Sequence, residues 1–501
     1  MFEPLLNASS IFLDWQNVFA MISGLAFGIL FGALPGLTAS MAMALLIPFA
    51  FVLPPLVSLA VLAGIHNGAT YGGAIPAVLL RIPGTPGAIC TTFDGFPLAQ
   101  QGRAGEALRL AAISSSLGAL ISAIALMTLA PPLAKVALAF GPPEIFWVNV
   151  FGLASISVLL GADPVKGLFA ACFGLFVGLI GLDPVTGFER MMFEFVELSD
   201  GIPFLTVLVG MYALPPAWQM AERALQEGVS KEGLKVRRDS GLRNWPWLQI
   251  IPAWARSSVI GVIVGILPGV GGVAASVIAY NEVKRVAKDP SSFGKGNPVG
   301  VAASESANSA DNAASMIPAL TLGVPGSGPA ALMLGALLVI GVQPGPDLFK
   351  ESPQLVFGYM WAMFATALLL IPVGGLIATK LFANVLRVPP VLLAPVIMCL
   401  TALGIYAFAG NMFFVWIMFL FGFIGYLFEK MSIPPAPVIL GLLLGPKAEA
   451  SLRISLNISL GDWSVLVTRP ISQVLIILVV LVIAYPMVRG YLKSRGASDK
   501  A

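Results

Sequence analysis

Two stretches of the chain combine amides, hydroxyls and carboxylates with Pro-Gly turns. The first, HNGATYGGAIP from His66, supplies Asn67, Thr70 and Tyr71 and runs on into PGTPG, with Pro83, Gly84 and Thr85 at the turn. The second, SESANSADNAASMIP from Ser304, supplies Glu305, Asn308, Asp311 and Asn312 and runs on into PGSGP, with Pro325, Gly326 and Ser327. Proline withholds an amide and glycine accepts left-handed angles, so each turn is expected to interrupt a helix and leave amides or carbonyls open. Open amides at a helix N-terminus suit a carboxylate, and open carbonyls at a C-terminus suit a cation. We therefore assign Asn67, Thr70, Tyr71, Pro83, Gly84, Thr85, Asn308, Asn312, Pro325, Gly326 and Ser327 to substrate binding. Two further Pro-Gly pairs, Pro35-Gly36 and Pro268-Gly269, are assigned with Glu305 and Asp311 to ion coupling. The two acids could ligate sodium through hard oxygen atoms, with Asp311 the first choice, or carry a proton; the sequence does not choose.

A structural reading stands beside each assignment. Pro-Gly turns also make plain tight hairpins, and small residues such as Gly68 and Ala310 permit close helix packing. Arg81 either pairs with a substrate carboxylate or snorkels to the interface. His66, the single histidine, either satisfies local hydrogen bonds or relays a proton. Asp94 caps a turn, lies at the cytoplasmic edge, or has a functional role.

The elements that position these residues must lie in a bilayer. Of 501 residues, 57% are hydrophobic and 11% charged, and mean hydropathy is +0.91, which leaves too little polar surface to cover a water-soluble globule. At roughly 20 apolar residues per crossing the chain allows about a dozen crossings. The 53 glycines and 39 prolines are tolerated at membrane depth only where opened backbone is buried in protein or lines a cavity. The expectation is an all-α polytopic membrane protein with broken helices.

The same strings occur twice in one order. GILFGALPG from Gly28 is matched by GVIVGILPG from Gly261, and IPAVLLRIPGTPGA from Ile75 by IPALTLGVPGSGPA from Ile317. Between them lies the one long charged stretch, with Arg223, Lys231, Lys235, Arg237, Arg238 and Arg243, which the positive-inside rule places in the cytoplasm. No Lys or Arg precedes Arg81, whereas the second copy starts just after that basic stretch and is followed by Lys284, Arg285, Lys288 and Lys295. The copies are thus expected to enter from opposite sides, as two inverted-topology repeats with paired broken-helix hairpins. The implied organisation is a first transmembrane repeat over 1–218, a cytoplasmic charged linker over 219–247, a second repeat over 248–490 and a cytoplasmic tail over 491–501. The N-terminus is then periplasmic, and the first span, with no basic residue ahead of it and no small-residue cleavage site, is expected to be retained.

Several functions are excluded. There is no Walker A string, no G-x-S-x-G elbow and no HExxH, and one histidine cannot build a multi-histidine metal site, so no enzyme and no resident cofactor is expected. A net charge of +3 without a basic stripe gives nucleic acid nothing to bind. Cys90, Cys172 and Cys399 lack metal-ligand spacing and read as packing residues. Membrane lipid is the one partner that composition alone requires.

The strings GALPGLTASMAMALLIPFAF, NGATYGGAIPAVLLRIPGTPGAICTTFDGFPLAQQGRAGEAL, GILPGVGG and SANSADNAASMIPALTLGVPGSGPAALMLGAL closely resemble the large membrane subunit of the tripartite tricarboxylate transporter family, over nearly the whole chain. The resemblance implies a secondary transporter of the bacterial inner membrane. It would work with a small four-span membrane subunit and a periplasmic solute-binding protein, importing small carboxylates with a cation gradient of sodium or protons. The family's signature positions fall on Pro35-Gly36, Pro83-Gly84, Pro268-Gly269 and Pro325-Gly326. Arg81 stands where that family is expected to carry a small polar residue, often Asn, a departure that bears on substrate identity. A non-transporting scaffold or sensor is the alternative, and a channel, conducting without a coupled ion, is a third.

Overall fold

The computed structural model describes all residues except 1–4, 6–7, 13, 35–36, 51, 160–163, 184–185, 228–244, 379–389 and 499–501. The described residues are almost entirely helical, with one two-stranded hairpin pairing Gly181–Leu182 with Glu189–Arg190. Six helices are long and apolar enough to cross a membrane, including Trp15–Ala33, Trp247–Ile266 and the kinked run Thr91–Ala137. Shorter apolar helices accompany them, because the prolines and glycines cut spans into pieces.

In the first half, α1 (Trp15–Ala33) begins behind Asp14, whose carboxylate accepts from the Gln16 amide at 3.0 Å. It is followed by α2 (Ala39–Ala50), α3 (Pro55–Gly72), α4 (Ala74–Leu80), α5 (Thr91–Leu98) and α6 (Ala104–Ala137). In the second half, α7 (Trp247–Ile266), α8 (Gly271–Val286), α9 (Pro298–Ala314), α10 (Met316–Leu322) and α11 (Gly328–Val339) repeat that order up to the helix after the turn.

Glycines at every fourth position make the first pair of long helices. Gly24, Gly28 and Gly32 of α1 face Gly64, Gly68 and Gly72 of α3 so closely that a Cβ at Gly28 would lie 2.5 Å from the Ile65 carbonyl oxygen, and one at Gly64 2.6 Å from that of Met21. Small-residue stripes of this kind are how helices approach in lipid, where the hydrophobic effect gives no drive. The second pair, α7 on α9, does the same with Gly261, whose Cβ would lie 2.5 Å from the Ala307 carbonyl oxygen. A third helix, α6, lies along α9. A Cβ at Gly118 would strike the Ser306 carbonyl, and Ser122 accepts from the Ala314 amide at 2.8 Å.

Helix Phe204–Glu227 runs through the boundary drawn at residue 218, and Pro470–Ser498 continues into the tail drawn from 491. Apolar periodicity ends before either helix does, because polar residues continue a helix into the headgroup region once it has started. Most of the charged linker, 228–244, lies outside the described residues. The next described helix, α7, starts at Trp247.

Candidate functional site

Each polar stretch is broken twice, once at Gly73 or Ser315, ahead of the Pro-Gly turn, and again at the turn itself. Helix α3 ends at Gly72 and α4 starts at Ala74; α9 ends at Ala314 and α10 starts at Met316. Pro76 and Pro318 stand at the third residue of α4 and α10, and each withholds the amide that would have tied it to the turn before. Both short helices end in a left-handed residue, Arg81 at φ 61° and Gly323 at φ 73°.

The returning chain is then pinned identically in the two copies. The Gly84 amide donates to the Gly73 carbonyl at 3.1 Å, and the Gly326 amide to the Ser315 carbonyl at 3.1 Å. The Ile82 amide reaches the Pro76 carbonyl at 3.4 Å, and the Val324 amide reaches that of Pro318 at 3.3 Å. A Cβ at Gly84 would collide with the Gly32 carbonyl, and one at Gly326 with the Gly265 carbonyl. Pro268-Gly269 joins the same assembly, since the Gly269 amide donates to the Gly326 carbonyl at 3.0 Å. Its first-copy counterpart, Pro35-Gly36, lies outside the described residues.

The copies meet at α3 and α9. Thr70 and Asn312, which are equivalent positions 242 residues apart, bond to each other: the Thr70 hydroxyl stands 3.0 Å from Asn312 Oδ1. Asn312 Nδ2 donates to Asn67 Oδ1 at 2.9 Å, and Asn67 Nδ2 donates to the Met363 carbonyl at 3.1 Å and to Thr366 Oγ1 at 2.8 Å. Asn67, Thr70 and Asn312 therefore have their polar groups occupied by the protein. Tyr71 is also occupied. Its hydroxyl donates at 3.2 Å to the Gly374 carbonyl, in the π-helical segment Ile371–Ala378 where Pro372 loosens the ladder.

Glu305 stands in a separate polar cluster. Its carboxylate accepts from Thr91 and, at 2.8 Å, from Ser115, while Ser304 pairs with Thr91 at 2.9 Å. Asp94 is anchored still more fully. One oxygen accepts the amides of Gly294, Gly296 and Asn297 at 2.8 to 3.0 Å, and the other accepts the Tyr280 hydroxyl at 2.8 Å. It staples the segment between α8 and α9 onto α5.

Asp311 and Asn308 differ. Both are buried, yet Asp311 Oδ1 and Asn308 Nδ2 have no protein partner, and neither do the hydroxyls of Thr85 and Ser309 or Nδ1 of His66. The two side chains are cradled by glycine. A Cβ at Gly272, in the first turn of α8, would lie 2.6 Å from Asn308 Oδ1 and 3.5 Å from Asp311 Oδ2. A Cβ at Gly265 would lie 3.0 Å from Asp311 Oδ1, and one at Gly87, just past the first turn, would collide with Asn308. The PGTPG turn of one copy and the LPGVGG turn of the other thus converge on Asn308 and Asp311. Thr85 explains part of the asymmetry: its counterpart Ser327 bonds Ser315 at 3.0 Å, whereas Thr85 faces Gly73, which has no side chain to answer it.

Buried polar groups nearly always find partners. The unpartnered Asp311 Oδ1 can accept from a donor or face a hard cation, whereas the unpartnered Asn308 Nδ2 is a donor and suits an acceptor such as a carboxylate. Among the described residues no group of three or more His, Cys, Asp or Glu could hold a metal ion. Sequence reasoning missed Gly87, Gly272, Thr91, Ser115 and Thr366. Gly87, Gly272 and Thr91 sit inside strings already singled out, but Ser115 and Thr366 lie on apolar helices with nothing to mark them.

The chain is similar to known proteins over most of its length. The tripartite tricarboxylate transporter TctA family matches residues 18–440. A protein of Agrobacterium vitis, described as an uncharacterized 52.8 kDa protein in the TAR-I ttuC' 3' region, is 38% identical over 461 residues, covering 92% of this chain and 91% of its own. A second, from the TAR-II ttuC' 3' region of the same organism, is 39% identical over 216 residues, or 43% of this chain and 89% of its own. With the apolar spans, the duplicated Pro-Gly assembly and a match over most of its length, this multi-pass membrane protein belongs to the tripartite tricarboxylate transporter TctA family.

Proposed function

We propose that the chain is the carrier subunit of a secondary active transporter. It imports a small di- or tricarboxylate into the cell across the bacterial inner membrane, drawing on a sodium or proton gradient. The observation that carries this reading is the convergence of two Pro-Gly turns, one from each copy, on buried Asn308 and Asp311, whose unpartnered atoms are left for something other than the protein. Asp311, with neighbouring hydroxyl and carbonyl oxygens, takes the cation, and the Asn308 amide nitrogen donates to the substrate. The amides around Thr85 and Ser327, with the Pro-Gly turns that carry them, take the substrate carboxylates. Asn67, Thr70, Tyr71 and Asn312 hold the two copies in register. Glu305 acts from the neighbouring cluster.

Substrate is delivered by a periplasmic solute-binding protein, and the small four-span subunit completes the membrane assembly. The copies lie in inverted orientation, with the charged linker and the tail in the cytoplasm and the N-terminus in the periplasm. Exposure then alternates as the paired hairpins move against the remaining helices. The test is uptake of radiolabelled di- and tricarboxylates into proteoliposomes holding this chain, the small subunit and the binding protein, with sodium and proton gradients imposed separately. Saturable uptake requiring the binding protein and one of the gradients is expected. Folded protein that takes up no anion under either gradient overturns the reading and favours a scaffold.

A further inference from the structure

Helices α7 and α8 form a hairpin whose apex is the LPGVGG turn and whose open side carries a groove of about 970 Å³. Its walls are Val259 and Ile260 from α7 and Val277 and Ile278 from α8. At the end away from the apex stand Arg256 and Arg285, with Glu282 between them. Helical spacing creates this polarity. Arg256 precedes Val259 and Ile260 by one turn on the descending helix, and Arg285 follows Val277 and Ile278 by two turns on the returning one. Arg256 therefore stands about level with Glu282, and Arg285 about one turn, roughly 5 Å, farther from the apex; both occupy the same end of an apolar trough that runs toward the apex.

We propose that this groove binds an anionic glycerophospholipid, with its phosphate held by Arg256 and Arg285 and an acyl chain lying along Val259, Ile260, Val277 and Ile278. Guanidinium is matched to phosphate in geometry as well as charge, and cationic pockets between membrane helices at the headgroup level select anionic lipid. Lys288, two residues past the end of α8, adds to the positive charge at that end. A small carboxylate has no use for the apolar walls. A transmembrane helix of a partner would seat against small residues, but the small residues of this hairpin, Gly261, Gly265 and Gly272, face α9 instead. The groove presents branched side chains, over which flexible acyl chains pack and helices do not approach closely. Glu282 tunes the site, since its carboxylate accepts two hydrogen bonds from Arg285 at 2.8 and 2.9 Å and competes with a phosphate for that guanidinium. The occupant also has a mechanical position, because the far end of α8 carries Gly272 against Asn308.

The experiment is native mass spectrometry of the full chain titrated with phosphatidylglycerol or phosphatidylcholine. The proposal expects phosphatidylglycerol to be retained in preference. It also expects the R256Q/R285Q double variant to lose that preference by roughly thirtyfold, at a typical strength for each interfacial cation. E282Q should move the other way and tighten retention, which a residue with only a folding role would not do. Equal retention of the two lipids by the unaltered chain, or an unchanged preference in the double variant, overturns the proposal. So does a photocrosslinker at Ile278 that captures the small subunit rather than lipid in native membranes.

Discussion

At the scale of single residues, the amides and acids of the two polar stretches divide into groups that hold the protein together and groups left open. Asn67 uses both ends of its amide inside the protein. Asn67→Ala should therefore act chiefly on stability, by about 1–3 kcal/mol for the partners it leaves unpaired, read as a lower melting temperature in detergent with any folded fraction still transporting. Asp311 has an oxygen with no partner. Asp311→Asn should fold as well as the parent and lose at least about tenfold in gradient-driven uptake, the size expected when one charge-assisted contact to a coupled ion is removed. Full uptake by that variant would show that Asp311 is not the coupling group. The residue types of this site were legible in the sequence, but their division was not. Whether the Asn67 amide or the Glu305 carboxylate is free depends on Thr366 or Ser115, 299 and 190 positions away, and a single sequence gives no sign of which helix supplies the partner.

At the scale of elements, the two copies test each other. Arg81 and Gly323 occupy the same left-handed position, which costs a residue with a Cβ about 1 kcal/mol. Arg81 recovers part of this by packing over the Phe96 ring, 5.9 Å from its centroid, an interaction of about 0.5 kcal/mol at an exposed site. Strain outweighs recovery, so Arg81→Gly should raise the melting temperature slightly, while Gly323→Ala should lower it. The same pair reports on substrate choice: if Arg81 also meets the substrate, Arg81→Gly raises KM for the most highly charged carboxylates first.

The stripe of α1 and α3 is less forgiving. Gly28→Leu must push its helix off the Ile65 carbonyl, and the expected result is loss of folded protein from the membrane, scored by size-exclusion profile. At the edge of the bundle, Asp289 caps a short turn, and the Ser291 hydroxyl holds its carboxyl below the ordinary range. A group lowered in this way stabilises the fold above its ordinary value and loses that contribution as pH falls through the lowered one. The loop should accordingly resist proteolysis equally at pH 6 and pH 8 and loosen only in strong acid. Periodicity and glycine spacing made the stripes and the breaks legible. Helix ends were not, because Phe204–Glu227 continues through polar residues that no apolar pattern marks.

At the scale of the whole molecule, composition sufficed for an all-helical membrane protein, and duplicated strings sufficed for two matching assemblies. Orientation rests on charge bias alone and has a direct test. In a background with Cys90, Cys172 and Cys399 replaced, a cysteine at Gln101 and another at Glu351 follow the two hairpins in turn. Inverted copies require an impermeant thiol reagent to reach them from opposite faces of the membrane. Labelling of both from one face would make the copies parallel and move the linker's topology with them.

The bond between Thr70 and Asn312 has a consequence for ancestry. Two equivalent positions that touch each other lie on the axis relating the copies. In a dimer of identical half-length chains, whatever residue stood there would have faced itself. Thr–Thr or Asn–Asn would have been the only polar choices of these two types, and neither could have given a one-way chain of donors into Asn67. Joining the halves in one polypeptide let each side of the axis mutate alone. The asymmetry that gives one copy Asp311 and leaves Ala69 at its equivalent is open to a single joined chain and closed to a dimer of identical halves, which would carry the acid twice or not at all.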